Sequence, residues 1–467
     1  MIEIPFRVAG LSEYEQGTLN ALVEQWSSKR NHNKLRAGFY DMKNSERALM
    51  SSAVPDVVKR RKFVLGWSSI AVDKLNRRCN LDGFYAEDGT DLDSLGLGML
   101  IESNRLLDEL SQAGLSSLIH TPSFLVRVRG DVAAGEPPVL ILAKDARTAT
   151  GFWSIRKRAL TSFLSIDDFD DSGSPIAMTM FLPNLNVAMT KTAGKWLVAR
   201  SPHRDGMPVD VLRYKPRLGR EFGTSRITPA VMSIHMQALA AMIRADVNGE
   251  AYSLPRFVVL GATESAYQNP DGTAKPAWRA AWDAVWMMGD DPDLADDGND
   301  LARADVKQFH GQSPEPQNAH LRMLAQMFSG ETGIPIGELG IIGDANPTSE
   351  GALTVSRDDI ISEAEQTTGV WTPDISRAVT GALRMLSGEG APIAKPIWRN
   401  PQHVSRASAA DAGLKTIQAL PWMAETEVGL ELMGLTQTQI ERVLTDRRRL
   451  RATETIATLR TAAGGIG

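Results

Sequence analysis

Residues able to do chemistry are sparse in this chain and poorly spaced for it. Seven histidines are scattered, with no HxxxH pair and no cluster at ligand spacing. The single cysteine, Cys79, excludes an intramolecular disulfide and a cysteine-rich zinc site. In LNRRCNL, at the end of an apolar helix, it reads as a small core or interface residue. TAGKW (192–196) holds a Gly-Lys pair, but it lacks the spaced first glycine and the Ser/Thr after lysine of a phosphate loop. It reads as a hairpin turn. SLGLGML (94–100) resembles part of a dinucleotide glycine pattern with no strand before it. His203-Arg204-Asp205 mimics a kinase catalytic loop without a glycine loop or a DFG partner, and reads as a polar turn.

The acidic run Asp290–Asp300 invites a calcium reading. Aligned from Asp291, an EF-hand loop would put Ala295 and Asp296 where a ligand and a glycine belong, and Ala302 where a glutamate belongs. Trp278, Trp282 and Trp286 fall on one helical face and could stack on bases, but such a stripe is more often core or subunit interface. The RRRLR run at 447–451 reads as a solvated helix face. No catalytic residue, cofactor or metal ligand is expected, and the residues point to a structural or assembly protein.

The elements that would position any site fall into blocks. A chain of 467 residues with 43% hydrophobic and 23% charged residues should hold more than one domain with a real core. A net charge of -5 argues against a protein that coats DNA. The start, MIEIPFRVAGLSEYEQ, lacks a signal-peptide pattern, and no apolar run approaches the ~18 residues of a membrane span. A cytosolic setting and no membrane partner are expected. The spacing predicts helices over 11–27, from Ser68 or Ser69 to 79, and over 99–115, the last ended by Gly114. From 119 to 215, alternating segments predict antiparallel hairpins with turns at Pro183-Asn184 and Ala193-Gly194.

Thr228-Pro229 opens a helix, with Thr as N-cap and Pro at the first helical position. Val231, Ile234, Ala238 and Met242 form one face, with Gln237 and Arg244 pointing away. A strand (PRFVVLGA), the tryptophan helix, the acidic loop and a second strand (ADVKQFHG) follow. The chain re-enters a helix at Ser313-Pro314, with Leu321, Leu324 and Phe328 on one face. That order predicts a small α/β insert on a two-helix stalk.

Next comes GETGIPIGELGIIGDANPTS (330–349), a long loop with glycines at 330, 333, 337, 340 and 343. A loop of this length without strand alternation is uncommon unless it has work to do at a surface or in a pore. A long helix beginning near Thr348 should carry the chain to Leu386 and kink around Gly369–Pro373. Residues 403–460 read as helical.

Four segments resemble the portal proteins of tailed bacteriophages, specifically the long-tailed, actinobacterial type: 64–84 (VLGWSSIAVDKLNRRCNLDGF), 223–262, 328–353 and 398–423 (WRNPQHVSRASAADAGLKTIQALPWM). The resemblance implies an α+β portal fold. Its parts would be a wing (1–225), a stem helix (226–248), a clip (249–313), a stem return helix (314–332), a tunnel loop (333–349), a spine helix with wing (350–396) and a crown (397–467).

It also implies a homo-oligomeric ring, typically a dodecamer, at one capsid vertex of the virion, assembled in the host cytoplasm. Double-stranded DNA would pass through its channel. The terminase large subunit, a head–tail connector or adaptor, the major capsid protein and scaffold would be its partners. In that setting Glu338, Leu339, Gly340, Ile341, Ile342, Gly343, Asp344, Ala345 and Asn346 would face the DNA. With no Lys or Arg between 330 and 349, the loop would brush the duplex rather than grip phosphates. Two other classes stay open. One is an adaptor or minor head protein. The other is a DNA-processing enzyme, which would need a carboxylate cluster or phosphate loop.

Overall fold

The computed structural model describes residues 7–43, 54, 56–252, 256–260, 273, 305–309, 313–340, 357–388, 390–402, 406–435 and 437–464. Helix α1 (Glu13–Tyr40) begins at a capping box. The Ser12 hydroxyl accepts from Glu15 N at 3.3 Å and the Glu15 carboxylate accepts from Ser12 N at 2.7 Å. It runs well beyond the expected end at 27. A short helix α2 (Asp56–Lys59), α3 (Trp67–Asn76) and strand β1 (Leu81–Ala86) follow. The helix expected over 99–115 is two helices, α4 (Leu97–Asn104) and α5 (Leu106–Ile119). Arg105, left-handed at φ 47, separates them, and Gly114 lies inside α5 rather than ending it. Glycine weakens a helix interior by only about 1 kcal/mol, so packing overrides it.

The hairpin block contains β2 (Ser123–Arg129), β3 (Val139–Asp145), β4 (Ala149–Ser154), β5 (Ala159–Phe169), β6 (Pro175–Leu182), β7 (Leu185–Thr192), β8 (Lys195–Pro202) and β9 (Val209–Leu212). Strands β4 to β8 form an antiparallel meander in chain order. The predicted turns are where the sequence put them. Asn184 has φ 63, and Ala193 and Gly194 have φ 48 and 80, the positive values that suit two-residue hairpins. The remaining elements are α6 (Pro229–Tyr252), β10 (Arg256–Leu260), β11 (Asp305–Phe309), α7 (Glu315–Thr332), α8 (Asp358–Ser387), β12 (Ala394–Trp398), α9 (Arg406–Ala419), α10 (Glu427–Leu432) and α11 (Gln437–Gly464). The chain is α+β. Helix α8 runs on through Pro373 to Ser387, close to the end expected at Leu386. The start expected near Thr348, the tryptophan stripe and the acidic run lie outside the described residues.

The chain divides into two units, each assembled from separated segments. The first comprises 1–75, 113–124 and 144–362. Its core presses α1, through Leu19, Leu22, Val23 and Trp26, onto Leu164, Ile166, Met178, Met180, Val187 and Met189 of the meander. Polar ties fix the contact. The Trp26 indole donates to the Arg147 carbonyl at 2.7 Å, and Asn33 donates to the Ala146 carbonyl at 2.9 Å. Glu15, buried, pairs with Arg200 at 2.7 Å.

The second unit comprises 76–112, 125–143 and 363–467. In it β1 and β12 pair antiparallel, and Trp371 of α8 lies 6.4 Å from Trp398. Ser376 Oγ donates to the Ala394 carbonyl at 2.8 Å, while Ala394 N donates to Thr380 Oγ1 at 2.9 Å. A Cβ on Gly381 would fall 1.7 Å from Arg127 Nη1, so the close approach of that guanidinium requires glycine there.

Candidate functional site

The stalk expected from the sequence is present in the first unit. The Thr228 hydroxyl accepts from Val231 N at 3.1 Å and so caps α6. Helices α6 and α7 pack along each other. At one end the Thr228 hydroxyl bonds Glu331 at 3.1 Å, joining the start of α6 to the end of α7. At the other end β10 follows α6, β11 precedes α7, and the two strands pair antiparallel. The helices are therefore antiparallel and carry the β10–β11 pair at their far end. At 1.5 Å per residue α6 is about 36 Å long. Val231, Ile234, Ala238, Leu324 and Phe328 are buried, and Gln237 and Arg244 are exposed, as predicted. Met242 and Leu321 are only half-buried, while Leu239, Ala241, Ile243 and Ala325 complete the seam.

A polar knot holds the base of the stalk. Arg226 is buried and donates from Nε to the Ala71 carbonyl at 2.5 Å, from Nη1 to the Tyr214 hydroxyl at 3.0 Å, and from Nη2 to the Thr332 carbonyl at 2.7 Å. His235 Nδ1 lies 2.8 Å from Ser68 Oγ, with its ring edge-on to Phe39. Burial pushes its pKa down to about 4, so it is neutral at pH 7. Trp67 packs on Phe328 at 5.3 Å. The sequence reading missed Arg226 and His235. The available signal was a basic residue just before a helix N-cap and a histidine on the apolar face of that helix.

After α7 the chain turns at Gly333, whose φ of 64 suits the helix C-cap. Ile334 is fully buried. A 3-10 turn, Ile336–Leu339, ends at Gly340 with φ 81. The proposed DNA-facing stretch thus starts inside the fold rather than outside it. Leu339 is 6% exposed. Glu338 Oε2 is 2.9 Å from Lys74 Nζ and its Oε1 is 2.9 Å from Arg357 Nε. Burial raises the Glu338 pKa, but the two cations outweigh it and the carboxyl ends below its usual value. Within the chain, Glu338 and Leu339 are anchors. Gly340 is exposed, and Ile341, Ile342, Gly343, Asp344, Ala345 and Asn346 lie outside the described residues.

Two of the weak motifs are turns, whereas SLGLGML leads into α4 and RRRLR lies within α11. TAGKW is the β7–β8 turn, and His203 bonds Asn186 at 3.1 Å in a turn after β8. Cys79 is a buried free thiol. Among the described residues, no group of three or more His, Cys, Asp or Glu is placed to hold a metal, and no helix is long and apolar enough to cross a membrane.

The first unit thus presents an antiparallel helix pair with the paired strands β10 and β11 at one end and the buried Arg226 contacts at the other. No family model matches the sequence. Two curated proteins do. The Portal protein of Mycobacterium phage D29 is 22% identical over 414 residues, covering 84% of this chain and 80% of that protein. The Portal protein of Mycobacterium phage L5 is 22% identical over 397 residues, covering 81% and 77%. This chain is a homologue of those phage portal proteins. Among solved structures, the neck of an empty GTA particle computed with C6 symmetry aligns at TM-score 0.42 and 14% identity, over 79% of this chain and 90% of that one. The neck of a native GTA particle computed with C12 symmetry aligns at TM-score 0.41 and 14% identity, over 79% and 91%.

Proposed function

We propose that this chain is the subunit of a portal ring at one capsid vertex, a conduit for double-stranded DNA during packaging and ejection. The observation that carries this reading is the likeness to two portal proteins along some four fifths of the chain. The stalk agrees with it. Helices α6 and α7 form the stem, residues 249–313 the clip, 1–225 with 350–396 the wing and spine, and 397–467 the crown. Met323 and Met327, exposed one turn apart on α7, are available to a neighbouring subunit.

In this reading Ile341–Asn346 is the part of the tunnel loop that meets DNA, while Glu338 and Leu339 hold its root. The terminase large subunit, head–tail connector or adaptor, major capsid protein and scaffold are the partners, and the virion vertex is the location. The chain performs no catalytic step of its own. DNA slides because the loop segment has no lysine or arginine to bind phosphates and release counterions.

Native mass spectrometry and negative-stain microscopy of the purified protein test the reading. The expected result is a closed ring of many subunits with a central hole. A stable monomer at micromolar concentration under every salt condition would overturn it.

A further inference from the structure

Glu338 and Arg357 stand at the two ends of the segment that holds residues 341–356, and they touch. Two residues 19 positions apart in sequence are thereby held together by one ion pair. Lys74, at the end of α3, closes the same carboxylate from its other oxygen. The Glu338 side chain is 15% exposed, so the pairing is shielded from solvent and salt more than a surface ion pair would be. The surroundings reinforce it. Leu339 is buried beside Glu338, and the Gly340 amide closes the 3-10 turn on the Gly337 carbonyl. Across the ion pair, the Ile361 amide donates to the Arg357 carbonyl as the first bond of α8. A Cβ on Gly333 would lie 3.2 Å from Asp359 Cβ, so a side chain there would push the end of α7 and the start of α8 apart by a few tenths of an ångström.

We infer that Lys74, Glu338 and Arg357 form a three-charge clamp that fixes the base of the 341–356 segment, making Glu338 a positioning residue rather than a DNA contact. The functional meaning of the clamp rests on the portal reading above. A loop brushing a moving duplex is pulled along the channel axis, and two cations on one shielded carboxylate resist that pull without placing positive charge in the segment itself. The chemistry is specific. A carboxylate accepts from both cations at once, whereas the Glu338→Gln amide keeps the shape and loses the charge that makes both bonds strong.

Hydrogen exchange on assembled wild-type, Glu338→Gln, Arg357→Gln and Arg357→Lys protein tests the clamp, with DNA packaging and retention measured in parallel. Peptides covering 336–340 and 358–361 should exchange roughly tenfold faster in Glu338→Gln, the scale of losing a charge-assisted bond. Arg357→Gln removes only the more exposed cation and keeps the Lys74 pair, so it stays informative if Glu338→Gln fails to fold. Arg357→Lys should restore slow exchange, and α6 peptides should not change in any variant. Unchanged exchange at both flanks in Arg357→Gln, or an equal rise throughout α6, would overturn the clamp. Faster flank exchange with normal packaging and retention would leave the clamp standing and remove the DNA-contact role of the segment.

Discussion

Arg226 Nη2 donates to the carbonyl of Thr332 at 2.7 Å, so a residue just before α6 closes onto the last residue of α7. The same guanidinium reaches Ala71 and Tyr214, and one buried side chain thereby ties four segments of the first unit. Arg226→Met keeps the length and removes every donor, leaving the Ala71 and Thr332 carbonyls to lose a charged partner. The expected loss is about 3 kcal/mol or more, read by chemical or thermal denaturation. A midpoint within error of wild type would show that the stalk base is held by packing alone.

Leu324 is 1% exposed in the α6–α7 seam. Leu324→Lys buries an unpaired ammonium and should abolish folding or ring formation, because an isolated charge in an apolar seam is not compensated. Gln326→Lys, on the exposed side of the same helix, is the control and should assemble normally. Sedimentation of both variants separates the outcomes; rings of Leu324→Lys at wild-type yield would mean the seam is misplaced.

Stability should fall on mild acidification. Burial holds the folded-state pKa of His235 near 4 against an ordinary 6.5, so between those values the unfolded chain binds the proton and the folded chain does not. Stability is full above pH 6.5 and is lost as pH falls towards 4. His120, also pushed down to about 4, chiefly by burial, acts in the same window. His235→Asn should lower stability at pH 7.5 and flatten its pH dependence between 6.5 and 4. An unflattened curve from equilibrium unfolding at several pH values would take His235 out of the account.

Deleting 341–346 should leave ring assembly intact and impair DNA packaging or retention. Extending the deletion back to 338 should also destabilise the subunit, because it removes the buried Leu339 and the carboxylate shared by Lys74 and Arg357. Packaging yield and ring yield, measured on both deletions, distinguish the two effects. Normal genome retention by the shorter deletion would make the segment a connector.

Much of this was legible along the chain, because it depends on neighbours in sequence. Thr228-Pro229 announces a helix start, Ala193-Gly194 a hairpin, and the apolar spacing of 231–243 a packed face; each is local stereochemistry. The pairing of two helices separated by strands β10 and β11 also followed from local signals. What the sequence could not supply was which distant groups meet. Arg105 takes a left-handed conformation and splits one predicted helix in two, and Gly114 is absorbed into α5, because burial on a finished core outweighs propensities of about 1 kcal/mol. Glu338 read as a DNA-facing residue of a glycine-rich loop, and only the folded chain brings Lys74 and Arg357 to its two oxygens. Hydrophobic periodicity is a property of one segment, whereas a salt-bridged carboxylate is a property of three, and the pairing exists only once tertiary packing has placed them.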